Sequence, residues 1–313
     1  MKITLDIGKL VEQGRLSPEE ASRLQALAAE TTGSLAMNML IGFGVVAVAL
    51  GVMGLVPEPM VAVVMGGILG SVGLGFLLKG DETWSVLAQI VVLAGALLLA
   101  GGVMFVTKGS VPALLAVTAI FAGAGIAARS GLLVALAVLA LSATIGARTG
   151  YMHATYFLAI RQPAMTVLLF AGLAIAAYQV SKLVRADLSR LAIVAARTAL
   201  LLVNFGFWIG SLWGDRLTWF VDPGSTSRYA PAIPAFVFSL AWLAAIVGAG
   251  IWAARANRPW VLNLAAVFGA IHFYTQWFEK LGATPFTVLV AGITTLALAV
   301  GIWKYNQGRT LAA

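Results

Sequence analysis

The sequence contains no cysteine and few charged residues, and both absences limit what the chain can be. Without a thiol, the protein cannot form disulfides, use a thiolate nucleophile or bind metal through cysteine. Charged residues occupy 10% of the 313 positions, whereas soluble domains carry about 25%. Hydrophobic residues make up 61%, so the usual water-facing surface is missing.

Long apolar runs take the place of that surface. They recur along most of the chain, and each is long enough to cross about 30 Å of hydrocarbon as a helix. We therefore predict an all-α polytopic transmembrane helix bundle of about ten spans. The predicted spans lie near 35–56, 60–79, 84–106, 110–128, 131–149, 163–181, 190–213, 232–254, 259–280 and 283–304. The fifth is interrupted by Gly146, Arg148 and Gly150.

The polar segment 1–34 differs from everything after it. Ser17-Pro18-Glu19-Glu20 offers a helix N-cap, a proline at the first helical position and a capping-box glutamate. We predict a short cytoplasmic amphipathic helical hairpin over 1–34, and no cleavable signal peptide. The bundle follows over 35–304, with possible halves 35–160 and 161–304, and a cytoplasmic tail over 305–313 completes the chain.

The net charge of +8 comes from basic residues in loops rather than from one continuous basic surface. Lys and Arg fall mostly in short connections between apolar runs, so no compact patch is available for nucleic acid, which we do not expect as a partner. With the N-terminus inside, the 20 basic residues divide into 14 on the inner side and 6 on the outer side. The positive-inside rule then places both termini in the cytoplasm, with the lipid bilayer as the main partner.

Glycines in the second span suggest close helix packing. Gly66, Gly70 and Gly73 recur at spacings of four and three residues, where small residues let helix backbones approach each other. The segment 70–75 also resembles a nucleotide-binding glycine loop, but no strand precedes it. Packing is the better interpretation.

Polar residues inside predicted spans are candidate binding residues by default. His272 lies near the middle of the ninth span, Gln276 follows one turn later, and Asn263 lies near the inner end. This face predicts either a substrate-binding cavity or a histidine hydrogen-bonded to a neighbouring helix.

A second polar stripe lies in the seventh span. Arg197 and Asn204 share one helical face with Trp208 and Ser211. Arg197 is predicted either to reach the headgroup region with its long side chain or to bind an anion inside the bundle. Asn204 would support the second role.

Aromatic residues cluster in the longest outer connection. Trp213, Trp219 and Phe220 lie at or beside the predicted membrane interface. They predict an interfacial belt or, alternatively, a docking loop for another membrane subunit.

Several kinds of chemistry find no support in the sequence. No Asp or Glu lies near the middle of a predicted span, which disfavours proton or sodium coupling through carboxylates. The two histidines have no carboxylate or cysteine at ligand spacing, so we predict neither a metal site nor a cofactor. Ser211 and His272 fall at different predicted depths, which excludes them as a nucleophile and base. We expect no enzymatic activity.

Two stretches resemble a bacterial family of predicted membrane proteins labelled domain of unknown function two-one-five-seven. One is the N-terminal run Leu10-Val11-Glu12-Gln13-Gly14-Arg15-Leu16-Ser17-Pro18-Glu19-Glu20-Ala21, and the other runs from Asn263 through Gly292 to Trp303. The sequence departs from the family at Val56-Pro57-Glu58-Pro59, where an Asn-Trp pair is expected. The resemblance implies a bacterial inner-membrane bundle with an N-terminal cytoplasmic hairpin, and it implies no substrate.

Two functions remain open on these grounds. One is a transporter-like protein that handles a small molecule or a lipid through a polar cavity in the C-terminal half. The other is a non-catalytic accessory or assembly subunit, bound to another membrane subunit or to further copies of itself.

Overall fold

The protein is a chain of long helices interrupted by two small hairpins. The structure, a computed structural model, describes residues 10–11, 13–79, 84–152, 155–217 and 231–310. Its helices are α1 (Pro18–Leu55), α2 (Pro59–Lys79), α3 (Ser85–Val106), α4 (Val111–Ala127), α5 (Gly131–Thr144), α6 (Pro163–Leu183), α7 (Ala186–Trp213), α8 (Ala235–Arg255), α9 (Pro259–Leu281) and α10 (Pro285–Thr310). The strands are β1 (Ala147–Met152), β2 (Thr155–Ile160), β3 (Asp215–Arg216) and β4 (Ala232–Ile233).

Five of the described helices are long and apolar enough to cross a membrane: α2, α3, α6, α7 and α8. Only 11% to 44% of their most apolar 18-residue windows is buried inside the protein. On α8, for example, Leu240, Leu243, Val247 and Ile251 form an exposed stripe at helical spacing. Water is a poor solvent for such faces, and the helices indicate a membrane protein.

The start of α1 confirms the predicted cap. The Ser17 hydroxyl accepts a hydrogen bond from the Glu20 amide at 3.2 Å, and the Glu20 carboxylate accepts one from the Ser17 amide at 3.0 Å. The hydrogen bond from the Ser17 backbone amide, and after it the interaction with the Ser17 side chain, hold the pKa of Glu20 below its ordinary value. From this cap, α1 continues for 38 residues to Leu55 without a break at the predicted boundary between residues 34 and 35.

The chain forms two compact units. The first unit comprises Met1–Thr144 and Ala176–Thr198, and the second comprises Ile145–Ile175 and Ala199–Ala313. In the first unit, α3, α4 and α5 share a core of small and branched residues: Val92, Ala96, Ala100, Val117, Phe121, Ala128, Leu133 and Ala137. This division differs from the predicted halves 35–160 and 161–304.

Helices α2 and α3 pack as an antiparallel pair with almost no space between them. A Cβ added to Gly66 would lie 2.7 Å from the Gly95 carbonyl oxygen, and one added to Gly73 would lie 2.8 Å from the Val92 amide nitrogen. A Cβ on Gly70 would meet nothing within 4 Å, but the Gly70 backbone is what a Cβ on Gly95 would strike. All three predicted glycines thus lie along this contact, Gly70 through its backbone alone.

The predicted span 131–149 is wrong at its C-terminal end. Helix α5 ends at Thr144, and the chain turns at Gly146, whose φ of 79° suits glycine. Residues 147–152 then pair with 155–160 as an antiparallel hairpin. The second strand begins with Thr, Tyr and Phe, residue types that favour extended backbone over helix. The 14 residues of α5 rise only about 21 Å, short of a full span.

Candidate functional site

His272 lies on α9 and is anchored to α8. Its Nε2 atom lies 3.1 Å from the Ser239 carbonyl oxygen and 3.3 Å from the Ser239 hydroxyl. A carbonyl oxygen can only accept, so Nε2 carries the hydrogen in this contact, and Nδ1 of the neutral ring is an acceptor. The ring also meets Trp242 edge to face, with 5.0 Å between centroids.

The contact between Ser239 and His272 does not make a nucleophile and its base. A base needs a free lone pair on the ring nitrogen that faces the hydroxyl. Here that nitrogen donates to the carbonyl oxygen of the same serine, so the lone pair is absent. Ser211 uses its hydroxyl to donate to the Trp208 carbonyl oxygen at 2.8 Å. The Ser239 contact joins α8 to α9, and the Ser211 contact lies within α7.

Asn204 on α7 has both ends of its amide occupied. Its Nδ2 donates to the Leu200 carbonyl oxygen at 2.8 Å, and its Oδ1 accepts from Trp242 Nε1 at 2.9 Å. Trp242 is completely buried, so its indole nitrogen needs this partner. Asn204 also borders an apolar cavity of about 300 Å³ in the second unit. Its bonding makes it a link between α7 and α8.

A second indole makes a similar link. Trp208 Nε1 donates to the Thr275 hydroxyl at 3.0 Å and so joins α7 to α9. Phe205, one turn earlier on α7, meets Phe268 of α9 edge to face at 5.9 Å. Asn204 and Trp208 of this polar stripe therefore face α8 and α9 within the second unit, whereas Arg197 belongs to the first unit.

An open cavity of about 500 Å³ lies along α9 beside Leu243 of α8. His272, Gln276 and Lys280 border it at successive turns of the helix, so it is polar along one line. Its remaining α9 lining comprises Gly269, Phe273, Trp277 and Leu281. The arrangement offers one long apolar wall and a short row of hydrogen-bonding groups.

Gln276 is the exception in this polar cluster. Its Nε2 atom is buried and has no hydrogen-bond partner, and the residue borders the cavity. An unpaired buried donor costs about 1–3 kcal/mol, so native proteins rarely keep one without a use. Rotation of the side chain would bring the amide into the cavity, where a ligand could accept its hydrogen.

Helix α9 is also less apolar than its length requires. At 23 residues it is long enough to span a membrane, yet it is not among the five helices that are also apolar enough to do so. Asn263, His272 and Gln276 lower its hydropathy within the span predicted over 259–280. A helix that keeps polar groups at membrane depth does so for a partner or a ligand.

The other predicted site residues lie away from the cavity or outside the described residues. Asn263 is exposed near the start of α9, and Arg197 is exposed in the first unit, where it makes interactions of its own. Trp213 is 74% exposed at the end of α7. Trp219 and Phe220 lie outside the described residues, so the docking-loop hypothesis stays a prediction for them.

Sequence reasoning missed a buried carboxylate. Asp215 is 7% exposed, and its Oδ2 accepts a hydrogen bond from the Ala164 amide at 2.8 Å, at the first turn of α6. Burial raises the pKa of Asp215, although hydrogen bonds from the Ala164 and Arg216 amides act in the opposite direction. Asp215 thus caps a helix that begins 52 residues earlier in the chain. The only sequence signal was a lone acid directly after an apolar helix.

Ser239 and Trp242 were missed as well, because α8 reads as a uniformly apolar run in which one serine and two tryptophans carry no distinctive spacing. Comparison of the chain with models of protein families, with curated proteins and with solved structures found no match. The site must therefore be interpreted from its own geometry.

Proposed function

We propose that the protein is a transporter-like membrane protein that binds a small organic molecule in the cavity bordered by His272, Gln276 and Lys280. The observation that carries this proposal is the buried Gln276 amide nitrogen without a partner beside that cavity. The buried nitrogens of Asn204 and Trp242 and the indole nitrogen of Trp208 all have hydrogen-bond partners, so Gln276 is the group that a ligand would complete.

The cavity lining favours an organic anion with an apolar body. Gln276 supplies amide hydrogens, and Lys280 supplies a positive charge at the exposed rim. Phe273 and Trp277 lie 5.3 Å apart between ring centroids and give the apolar part of the ligand an aromatic wall. A carboxylate or sulfonate would accept a hydrogen bond from the Gln276 amide nitrogen and form an ion pair with Lys280. Both of these protein groups are hydrogen-bond donors.

The test compares Gln276→Leu with Asn204→Leu. The probe is benzenesulfonate, which keeps its charge at neutral pH, and the readouts are calorimetric binding in detergent and uptake into proteoliposomes. Q276L removes an unpaired donor at similar volume, so we expect binding to fall about tenfold or more while the protein keeps or gains stability. N204L removes the existing hydrogen bonds of the Asn204 side chain, so it should lower the stability of the protein and leave benzenesulfonate binding unchanged.

Two outcomes would overturn the proposal. One is that Q276L destabilises the protein as strongly as N204L, which would mean that Gln276 has a structural partner. The other is that the wild-type protein binds neither benzenesulfonate nor its aliphatic counterpart octanesulfonate.

The proposed topology has ten spans with both termini in the cytoplasm of a bacterial inner membrane. The short helix α5 counts as the fifth span because a bilayer can thin locally around it. Two contacts support this topology. Arg129 and Asp187, from two connections assigned to the inner side, form a salt bridge at 3.2 Å in the first unit. Ala164 and Asp215, both assigned to the outer side, are hydrogen-bonded in the second unit.

An accessory-subunit role is the second candidate, favoured by the first unit. There the backbones of α2 and α3 pack in direct contact at Gly66 and Gly95, as expected of a rigid scaffold. Under this role, Q276L would change neither transport nor binding, and only the assembly of a larger complex would depend on the chain.

A further inference from the structure

The first unit contains a larger cavity that the proposed function does not use. It is a cleft of about 640 Å³ between α1, α2 and α3. Val46 and Leu50 line it from α1, Pro59 from α2, and Ile90, Leu97 and Phe105 from α3. The lining consists of Val, Ala, Leu, Ile, Pro, Gly and Phe, so no side chain there could hydrogen-bond a polar ligand.

The cleft is closed at one end and open at the other. At the closed end α1 meets α3, where a Cβ on Gly42 would lie 2.8 Å from Ile90 Cδ1. At the other end the lining reaches Pro57 and Pro59, in the connection between α1 and α2, and Phe105 near the end of α3. From residue 90 to residue 105 the helix rises about 22 Å. One leaflet of a bilayer is about 15 Å deep, so the cleft can take most of an acyl chain.

Opposite charges occur next to the open end. Glu58 lies between the two lining prolines, and Lys108 follows Phe105 by three residues. Both residues are exposed. A headgroup with a phosphate and an ammonium group would complement this pair, because the phosphate attracts lysine and the ammonium attracts glutamate.

We infer that this cleft is a binding site for one phosphatidylethanolamine molecule, with an acyl chain along α3 and its headgroup between Glu58 and Lys108. The occupant must be apolar along the cleft and zwitterionic at its mouth. A neighbouring protein helix is a poor fit, since an α-helix is about 10 Å wide and the cleft narrows to the contact between Gly42 and Ile90.

Gly101 provides a direct test, because it lines the cleft and a Cβ there would meet nothing within 4 Å. Gly101→Leu should therefore fill the cleft without disturbing the fold. Gly123→Leu is the matched control: Gly123 is an equally open helical glycine on α4 that is outside the cleft lining. The full chain is reconstituted in vesicles of phosphatidylethanolamine and phosphatidylglycerol, extracted in mild detergent and examined by native mass spectrometry.

The wild-type protein and G123L should retain one phosphatidylethanolamine. The retained fraction should fall about tenfold in G101L, because the leucine displaces at least two methylene groups of the ligand. Glu58→Gln should reduce the preference for phosphatidylethanolamine over phosphatidylglycerol. Unchanged lipid retention in G101L would overturn the proposed site. Equal retention of the two lipids by the wild type would overturn the headgroup assignment. A change of oligomeric state in G101L alone would show that a protein occupies the cleft.

Discussion

Asn204 and Gln276 carry the same side-chain amide group, but they differ in whether its nitrogen has a hydrogen-bond partner. Asn204 is bonded at both ends, to the Leu200 carbonyl oxygen and to the Trp242 indole. Gln276 keeps a buried nitrogen without a partner. A buried donor without a partner lowers stability, and the proposed function assigns the missing acceptor of Gln276 to a ligand.

The Asn204–Trp242 hydrogen bond can be measured by a double-mutant cycle. Asn204→Leu leaves the completely buried Trp242 indole nitrogen unpaired, and Trp242→Phe leaves the Asn204 oxygen unpaired. Each change should lower the free energy of unfolding by about 1–3 kcal/mol through the lost partner. The double variant should lose less than the sum of the two, measured by denaturation in mixed micelles. Additive losses would show that the bond contributes nothing.

At the scale of elements, the contact between α2 and α3 depends on two backbones touching. Gly66 and Gly73 on α2 repeat every seven residues, as do Gly95 and Gly102 on α3, and each of these four positions would place a Cβ within 3 Å of the partner helix. Contacts between backbones maximise van der Waals attraction where lipid gives helices no hydrophobic reason to associate.

Gly66→Ala should separate this helix pair. The new methyl group would lie 2.8 Å from Leu99 Cα, and backbone cannot rotate away as a side chain can. We expect a loss of about 1–3 kcal/mol in thermal or denaturant unfolding. The neighbouring Gly67→Ala has open space, so it should be neutral or gain up to about 1 kcal/mol from helix propensity. Equal effects at both positions would argue against backbone contact.

The Asp215 cap on α6 makes stability depend on pH. Because burial raises the pKa of Asp215 above its ordinary value of 3.8, the folded state binds this proton more tightly than the unfolded state. The stability gained from protonation of Asp215 is therefore fully present below about pH 3.8, and it is lost as the pH rises through the raised pKa.

Asp215→Asn separates the charge from the cap. The asparagine oxygen can still accept from the Ala164 amide but does not titrate, so the stability of D215N relative to wild type should rise with pH across that window. Asp215→Ala loses the acceptor and does not titrate either, so its stability should lie about 1 kcal/mol below that of D215N at every pH. Thermal unfolding of the three proteins between pH 3 and 7 measures this. Parallel curves for wild type and D215N would contradict the raised pKa.

The elements that sequence predicts best are those whose signals are local. The helix starts at Pro18, Pro59, Pro163, Pro259 and Pro285 each place a proline at the first helical position, where its missing amide hydrogen costs nothing. The hairpin over 147–160 was missed because its preceding helix is apolar to the end, and only Gly146 and the extended-favouring residues after it mark the change.

The site was predictable in part and for a similar reason. His272 and Gln276 stand out because polar residues are rare in apolar helices, and their spacing of four places them on one face. A hydrogen bond from His272 to a neighbouring helix was one of the two predicted alternatives. Its partner Ser239 and the unpaired Gln276 nitrogen were not predictable. Which polar residue is satisfied depends on packing between elements that are distant in sequence.

At the scale of the whole molecule, lack of cysteine makes the topology easy to test. Four exposed residues are suitable for single cysteine substitutions. Ala186 and Ala256 lie at connections assigned to the inner side, and Ser110 and Thr284 lie at connections assigned to the outer side. In intact bacterial cells, a membrane-impermeant maleimide should label only the outer pair, because the bilayer excludes it from the cytoplasm. Labelling of the inner pair alone would reverse the orientation, and labelling of one member from each pair would contradict the count of ten spans.

The cap between Asp215 and Ala164 sets an order of events during synthesis. The ribosome completes residues 163–183 well before residue 215, so α6 enters its surroundings with the amide of Ala164 still lacking its acceptor. That end becomes fixed only after α7 has followed it and the chain has turned at Gly214. Nascent chains arrested before residue 215 should therefore keep a loose start to α6, and those arrested well beyond it should not.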